Sequence, residues 1–187
     1  MSAPRRSVLA LAVLSMLTEA PMHAYRMQQL IVERHKDDVI NVSQRNSMYQ
    51  TIQRLLRDGL LEVESTERTE NRPERTTYQI TELGRSALER WLREMLSAPA
   101  DDYPEFPAAL AFLPSITVAE AIEALAERVS TLEARLSALQ QEQAYGRTFL
   151  APVFLVESDY QEKLLAAELE YVRSLVLDLR SARITWP

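Results

Sequence analysis

The chain has 187 residues, of which 47% are hydrophobic, so it can bury a core and is not expected to be disordered. It contains no cysteine, which excludes disulfides, thiolate metal sites and cysteine nucleophiles. The net charge of −6 is unevenly distributed: residues 1–95 have 14 basic and 13 acidic residues, whereas residues 96–187 have 7 and 14, which suggests different partners for the two halves.

The first predicted element is an apolar helix over residues 5–18. Its run from Val8 to Leu14 follows Arg5 and Arg6, as in a signal peptide, but Ser15 interrupts it and no small-residue cleavage site follows. No stretch of about 17 consecutive apolar residues, which a membrane span needs, occurs anywhere. We therefore expect a cytoplasmic protein without a membrane segment.

Two amphipathic helices are predicted next. The first covers about residues 23–35, after Pro21 has ended the preceding helix. Ser43 is predicted to cap the second, which ends at Gly59, a residue suited to the left-handed position after a helix. The apolar stripe of the first of these helices consists of Tyr25, Met27, Leu30 and Ile31.

The apolar period then changes from helical to alternating. Leu61 and Val63 alternate with polar residues, as do Tyr78 and Ile80, and this period of two indicates strands. The segment 65–75 between them is polar and has no core-forming residue. We predict a β-hairpin with a long charged tip, followed by a helix that Thr81 caps and that ends near residue 96.

A linker rich in proline and aspartate, residues 98–107, separates a predicted domain at 1–97 from a helical one at 108–187. Thr117 and Glu120 form a capping box at the start of a long helix, and a last helix covers about residues 152–181. Both helices have heptad-like apolar seams, which predict an antiparallel pair that dimerises. The predicted dimerisation residues are Ile122, Leu125, Val129, Leu132, Leu136, Leu139, Leu165, Leu169, Val172, Val176 and Leu179.

Helix, helix, capped helix and hairpin is the order of a winged helix-turn-helix. The predicted fold class is therefore mainly α (α+β), with a winged helix-turn-helix N-terminal domain followed by an α-helical dimerisation domain. In this motif the second helix of the turn enters the major groove of duplex DNA, and arginines of the wing suit the adjacent minor groove. The residues predicted from this order to contact DNA are Ser43, Gln44, Arg45, Asn46, Ser47, Arg54, Arg68, Arg72 and Arg75.

Three spaced motifs within residues 5–96 resemble the PadR family of transcriptional regulators. Pro21-Met22-His23-Ala24-Tyr25 is similar to the family's His-Gly-Tyr, and Ser47-Met48-Tyr49 with the Leu-rich segment up to Leu61 is similar to Thr-Leu-Tyr followed by Gly-Leu. The segment Arg72 to Gly84 resembles the family's wing, with Asn71 in place of a glycine and Glu74 in place of a basic residue.

The resemblance implies a homodimer held by the C-terminal helices, with one helix often packing on the partner's first helix. It also implies repression of a nearby promoter and, in many members, release from DNA by a small molecule. Tyr49 stands at the position of the family's tyrosine in the third helix and would contact a DNA phosphate through its hydroxyl.

Other interpretations remain open at this point. The polar edge of the third helix is also compatible with a solvated surface, and the arginines of the hairpin with ion pairs to Glu67, Glu70 and Glu74. The alternative function is a protein-interaction module that uses the winged helix and the acidic helical half without DNA. Activation instead of repression is a further alternative.

No catalytic set emerges, so we expect no enzyme and no cofactor. His23 and His35, without cysteine, make a poor metal site, and His23 is expected to be structural. An aromatic small-molecule effector is the remaining expected partner, besides double-stranded DNA and a second copy of the chain. Its predicted contacts are Trp91, Tyr145, Phe149 and Phe154, for which packing between helices is the alternative role.

Overall fold

The structure is a computed structural model that describes residues 6–37, 39–40, 45–67, 75–100 and 103–186, with only the backbone at residues 45, 46 and 67. The chain divides into two compact units, residues 1–101 (unit 1) and 102–187 (unit 2). Unit 1 contains four helices and a small sheet within its described part, and unit 2 is helical there. The predicted class, mainly α with a winged helix, is confirmed.

Unit 1 begins with α1 (Val8–Leu17), which is shorter than predicted because Ser7 caps it: the Ser7 Oγ accepts the Ala10 N–H at 3.1 Å. The helices α2 (Ala24–Glu33) and α3 (Arg45–Arg57) follow, then the strands β2 (Leu61–Glu67) and β3 (Arg75–Ile80) and the helix α4 (Glu82–Ser97). Gly59 has a φ of 71°, as predicted for the residue after a helix, and Thr81 caps α4 through the Gly84 N–H.

The sheet has one strand that the sequence did not predict. Residues 22 and 23 form β1 (Met22–His23), which pairs antiparallel with β3, so that the strand order is β1-β3-β2. A bulge lies between Val63 and Ser65 of β2. The core of unit 1 lies between α1, α2, α3, α4 and the sheet, and its largest fully buried side chains include Leu14, Met27, Met48, Ile52, Leu55 and Leu60.

Unit 2 consists of α5 (Glu105–Ala111), α6 (Val118–Gly146) and α7 (Val156–Arg180), with single 3-10 turns at Leu113–Ser115 and Pro152–Phe154. The predicted capping box is confirmed: the Thr117 side chain accepts the Glu120 N–H, and the Glu120 carboxylate accepts the Thr117 N–H at 2.8 Å. The predicted linker is wrong at its end, because α5 starts at Glu105 and places Pro107 within its first turn, where proline is tolerated.

The long helices α6 and α7 pack along their apolar seams. The chain reverses between them over residues 147–155, which bring the two helices side by side. None of the helices in the described part of the chain is long and apolar enough to span a membrane.

Candidate nucleic-acid interface

The helix α3 is amphipathic and has one face in the core of unit 1. Met48, Ile52 and Leu55 recur at intervals of three and four residues and are buried. The opposite face is open to solvent: Tyr49 is 53% exposed, and Gln53 is exposed as well. The helix therefore presents polar side chains outward from a fixed apolar base.

Besides Tyr49 and Arg54, the predicted DNA-contacting residues fall into three groups. Arg45 and Asn46 form the first turn of α3, where only their backbone is described, and Ser47 is half-buried beside them. Arg75 is exposed at the start of β3, where it pairs in register with residue 67 of β2. Four of the predicted contacts lie outside the described residues: Ser43, Gln44, Arg68 and Arg72.

Arg54 does not lie on the exposed face of α3. Its Nη2 donates a hydrogen bond to the Ser7 Oγ at 3.1 Å, and its Nε is buried without a hydrogen-bond partner among the described residues. The guanidinium therefore ties α3 to the capped start of α1. Its predicted contact with the DNA backbone stays a prediction, and the structure adds a role in holding these two helices together.

Tyr78 is buried in β3, the middle strand of the sheet, where it pairs with Met22 of β1 and Val63 of β2. Burial raises the pKa of its phenol, a hydrogen bond with Thr76 opposes this effect, and the Tyr49 phenol adds a smaller raising effect.

The start of α2 is fixed by a histidine. The Nδ1 of His23 accepts the Arg26 N–H at 3.1 Å, so His23 caps the helix while it pairs with Thr77 as part of β1. The expectation of a structural His23 is thus met. Tyr25 was predicted to belong to the buried stripe of α2, and this is wrong: it is 58% exposed, because the core side of α2 is formed by Ala24, Met27, Leu30 and Ile31.

The predicted effector residues belong to both units, one to unit 1 and three to unit 2. Trp91 is buried in the core of unit 1. In unit 2, Tyr145 and Phe149 make an edge-to-face contact with ring centroids 5.0 Å apart, and both are exposed, as is Phe154. A groove of about 400 Å³ on α6 and α7 includes none of these four residues and is lined by Leu136, Ala166, Leu169, Glu170, Arg173, Ser174 and Leu177.

The predicted dimerisation residues have partners within one chain. All of them except Leu139, which is half-buried, belong to the apolar cluster between α6 and α7, together with Phe106, Leu110 and Trp186. Their role between subunits therefore stays a prediction. No group of three or more histidine, aspartate or glutamate side chains that could hold a metal ion was found among the described residues.

Known proteins resemble this chain in both sequence pattern and fold. The sequence model of the family described as "Transcriptional regulator PadR-like family" matches residues 13–90. No curated protein sequence is significantly similar. Bacillus subtilis PadR in complex with operator DNA superposes with a TM-score of 0.73 at 19% identity, over 92% of this chain and 99% of that one.

Two further solved structures extend the similarity. The PadR-like regulator BC1756 from Bacillus cereus has a TM-score of 0.66 and 15% identity, over 93% of this chain and 99% of that one. Bacillus subtilis PadR in complex with p-coumaric acid has a TM-score of 0.72 and 19% identity, over 93% of this chain and 99% of that one. At these identities the superpositions establish the fold of both units, and the sequence model adds the motifs of residues 13–90.

Proposed function

Because the chain belongs to the PadR-like family of transcriptional regulators, whose motifs lie in residues 13–90, we propose that it binds duplex DNA with α3 in the major groove. The observation that carries this proposal is the geometry of α3: one face is locked into the core by Met48, Ile52 and Leu55, and the other is open. A recognition helix needs this combination, because base readout requires side chains whose backbone does not move.

The first turn of α3, together with the residue that precedes it in the sequence, supplies the specific contacts in this proposal. Gln44, Arg45, Asn46 and Ser47 have hydrogen-bonding side chains, and glutamine or asparagine pairs with adenine as arginine pairs with guanine. The N–H groups at a helix start also favour a phosphate. The wing supplies a further contact in this proposal, because Arg75 is exposed at its base and suits the adjacent groove.

Repression by a homodimer is the second part of the proposal. The solved relative in complex with operator DNA supports an operator-binding role, and a two-fold dimer would recognise a pseudo-palindrome with half-sites about one helical turn, 34–36 Å, apart. One side of α7 suits the subunit contact, because large, exposed apolar side chains recur there at helical spacing: Val156, Tyr160, Leu164 and Tyr171.

Release by an aromatic small molecule is the third part. The relative in complex with p-coumaric acid supports an effector of this class. The exposed pair of Tyr145 and Phe149, with Phe154, offers aromatic faces in unit 2. Trp91 is buried in the core of unit 1, so its predicted contact would require the effector to enter that core. Titration with aromatic carboxylic acids should release a bound duplex. If no compound releases the duplex at a saturating concentration, the effector part of the proposal is contradicted, and the DNA-binding part is unaffected.

Replacing Arg45 with alanine is expected to relax base preference at one operator position. If the arginine pairs bidentately with guanine, the loss amounts to about 1–3 kcal/mol on the preferred duplex and little on random duplexes. Fluorescence anisotropy measures both affinities, one with a duplex that the protein has selected from a random pool and one with a duplex of shuffled sequence. Equal losses on the two duplexes would mean that Arg45 contacts only phosphate.

The Tyr49→Phe variant is expected to weaken binding to all duplexes by a similar factor. Removal of the phenol hydroxyl deletes a contact with the backbone, which is independent of sequence, and one hydrogen bond to a charged group contributes about 1.5–3 kcal/mol. Tyr103, which is exposed in unit 2, gives the matched control, and Tyr103→Phe should bind as the parent does. A Tyr49→Phe variant with unchanged affinity would place this side chain outside the interface.

A further inference from the structure

The short helix α5 has little stability of its own. It has seven residues, its N-cap residue Pro104 makes no side-chain cap, and none of its residues is buried. A helix this short does not persist in water without tertiary contacts, because nucleation fixes several residues for the first hydrogen bond. Its place against the rest of unit 2 must therefore come from specific contacts.

Three side chains supply these contacts. Phe106 and Leu110 of α5 pack against the apolar cluster of α6 and α7. The guanidinium of Arg128, on α6, lies over the Phe106 ring with its carbon 3.7 Å from the ring centroid. The same guanidinium pairs with Glu168 of α7, to which its Nε donates a hydrogen bond at 2.7 Å. Arg128 therefore contacts all three helices of unit 2.

Arginine suits this position for a physical reason. A planar guanidinium can stack on an aromatic ring with its face while its edge donates to a carboxylate, whereas an ammonium group is a point charge without such a face. The hydrogen bond to Glu168 restrains the guanidinium beside the ring of Phe106. The pair is half-buried, so solvent screens it less than an exposed pair.

The position of α5 in the chain gives this contact its importance. Only residues 98–104 lie between the end of α4 at Ser97 and the start of α5. With Phe106 anchored, at most nine residue steps connect unit 1 to the helix pair. If α5 leaves the pair as a whole, so that Leu110 is lost together with Phe106, the next residue that packs on the pair is Val118, which is twenty-one steps from Ser97. An extended chain spans about 3.3–3.6 Å per residue. The anchor therefore reduces the maximum length of the segment that connects unit 1 to the helix pair to less than half.

We propose that Arg128 is a positioning residue that clamps α5 to the helix pair and thereby sets how much variation in operator half-site spacing the dimer tolerates. This inference rests on the proposed function, in which unit 1 of each subunit reads one half-site. A shorter tether raises the effective concentration of the second reading unit at its own half-site and narrows the range of distances that it reaches. Since effective concentration falls roughly as the 3/2 power of tether length, lengthening from nine to twenty-one steps weakens binding about three- to fourfold.

The test uses the full-length protein and three variants: Arg128→Gln, Phe106→Ala and the conservative Arg128→Lys. Hydrogen exchange measures whether the amides of α5 exchange faster, and sedimentation velocity measures whether the dimer persists. Anisotropy measures affinity for a duplex selected from a random pool, for one half of it, and for duplexes with one to five base pairs inserted between the halves. Arg173→Gln is the matched control, because Arg173 pairs with Glu133 across α6 and α7 at 2.6 Å and, among the described residues, forms no hydrogen bond or ion pair with α5.

The expected result is specific to the clamp. In Arg128→Gln and Phe106→Ala, the amides of α5 exchange faster, and both variants remain dimers. Both bind a half duplex as the parent does, but they bind the selected duplex about three- to fourfold more weakly. When base pairs are inserted between the halves, both lose less affinity than the parent does. Arg128→Lys lies between them and the parent, and Arg173→Gln matches the parent. Faster exchange with an unchanged spacing profile overturns the proposal, as does unchanged exchange in both variants. If the parent protein retains no duplex from the pool, the proposed function is overturned. The contact between Arg128 and α5 is then still tested by hydrogen exchange of the α5 amides.

Discussion

The Gly84→Ala variant is expected to lose about 3 kcal/mol of the free energy of unfolding of unit 1. A Cβ at Gly84 would stand 2.2 Å from the Leu60 carbonyl oxygen and 2.8 Å from the Ile80 Cγ1. The carbonyl cannot withdraw cheaply, because it accepts the Thr81 N–H at 3.2 Å just before α4. Overpacking against fixed backbone typically costs 1–3 kcal/mol or more, which exceeds the gain of about 1 kcal/mol from alanine in a helix.

Denaturant unfolding of unit 1 measures this loss. Trp91 is buried there, and a Trp186→Phe background removes the second tryptophan, so fluorescence then reports unit 1. Gly146→Ala in α6 of unit 2 is the matched control, and its unfolding is followed by circular dichroism, which reports the helices of both units. A Cβ there meets only the ends of flexible side chains, Leu155 at 3.1 Å and Leu150 at 3.5 Å. This control should change stability by less than about 1 kcal/mol. Equal stability of Gly84→Ala and the parent would contradict the close approach of α4 to residue 60.

Local signals in the sequence were sufficient for much of the fold. Thr81 and Thr117 cap helices with their own side chains, and Gly59 takes the left-handed conformation, all as predicted, since each of these interactions is completed within three or four residues. The hairpin was likewise visible in a period of two. Such features depend on neighbouring residues alone and are accessible without tertiary information.

Features that depend on distant residues were missed. The strand β1 has two residues, too few to show a period, and exists because residues 22 and 23 meet Tyr78 and Thr77 of β3. The exposure of Tyr25 was missed for a related reason: an apolar residue near a stripe was counted as part of it, but the core of unit 1 covers only a narrower face of α2.

The candidate interface shows the same division. The helical spacing of α3 counted Tyr49 among the apolar residues that pack into the core, and this is wrong, because Tyr49 is 53% exposed. Its role at DNA was implied only by the resemblance to the family. Arg54 has helical spacing that suits a surface contact, but its direction is set by Ser7, 47 residues earlier in the chain. The seam of α6 and α7 indicated that each helix has a partner, and a heptad pattern does not specify whether that partner belongs to the same chain.

Because the seam residues pack within one chain, the proposed subunit contact is tested on the exposed apolar side of α7. The Leu164→Glu variant is expected to run as a monomer in sedimentation velocity, because a carboxylate at an apolar contact must lose its hydration without gaining a partner. Leu164 is 51% exposed and lies between Tyr160 and Tyr171, which are also exposed. Loss of the second reading unit should weaken binding to a two-half duplex about 10²- to 10⁴-fold and leave binding to a half duplex unchanged.

Leu177→Glu provides a control on the same helix. Leu177 is 59% exposed, and at 100° per residue it projects about 140° around α7 from Leu164, so it presents the same chemistry to a different side. It should remain a dimer and bind the two-half duplex as the parent does. If Leu177→Glu dissociates and Leu164→Glu does not, the subunit contact lies on the opposite side of α7. Because the seam residues are already satisfied within each chain, a dimer that survives both substitutions would exclude these two sides of α7 as the interface.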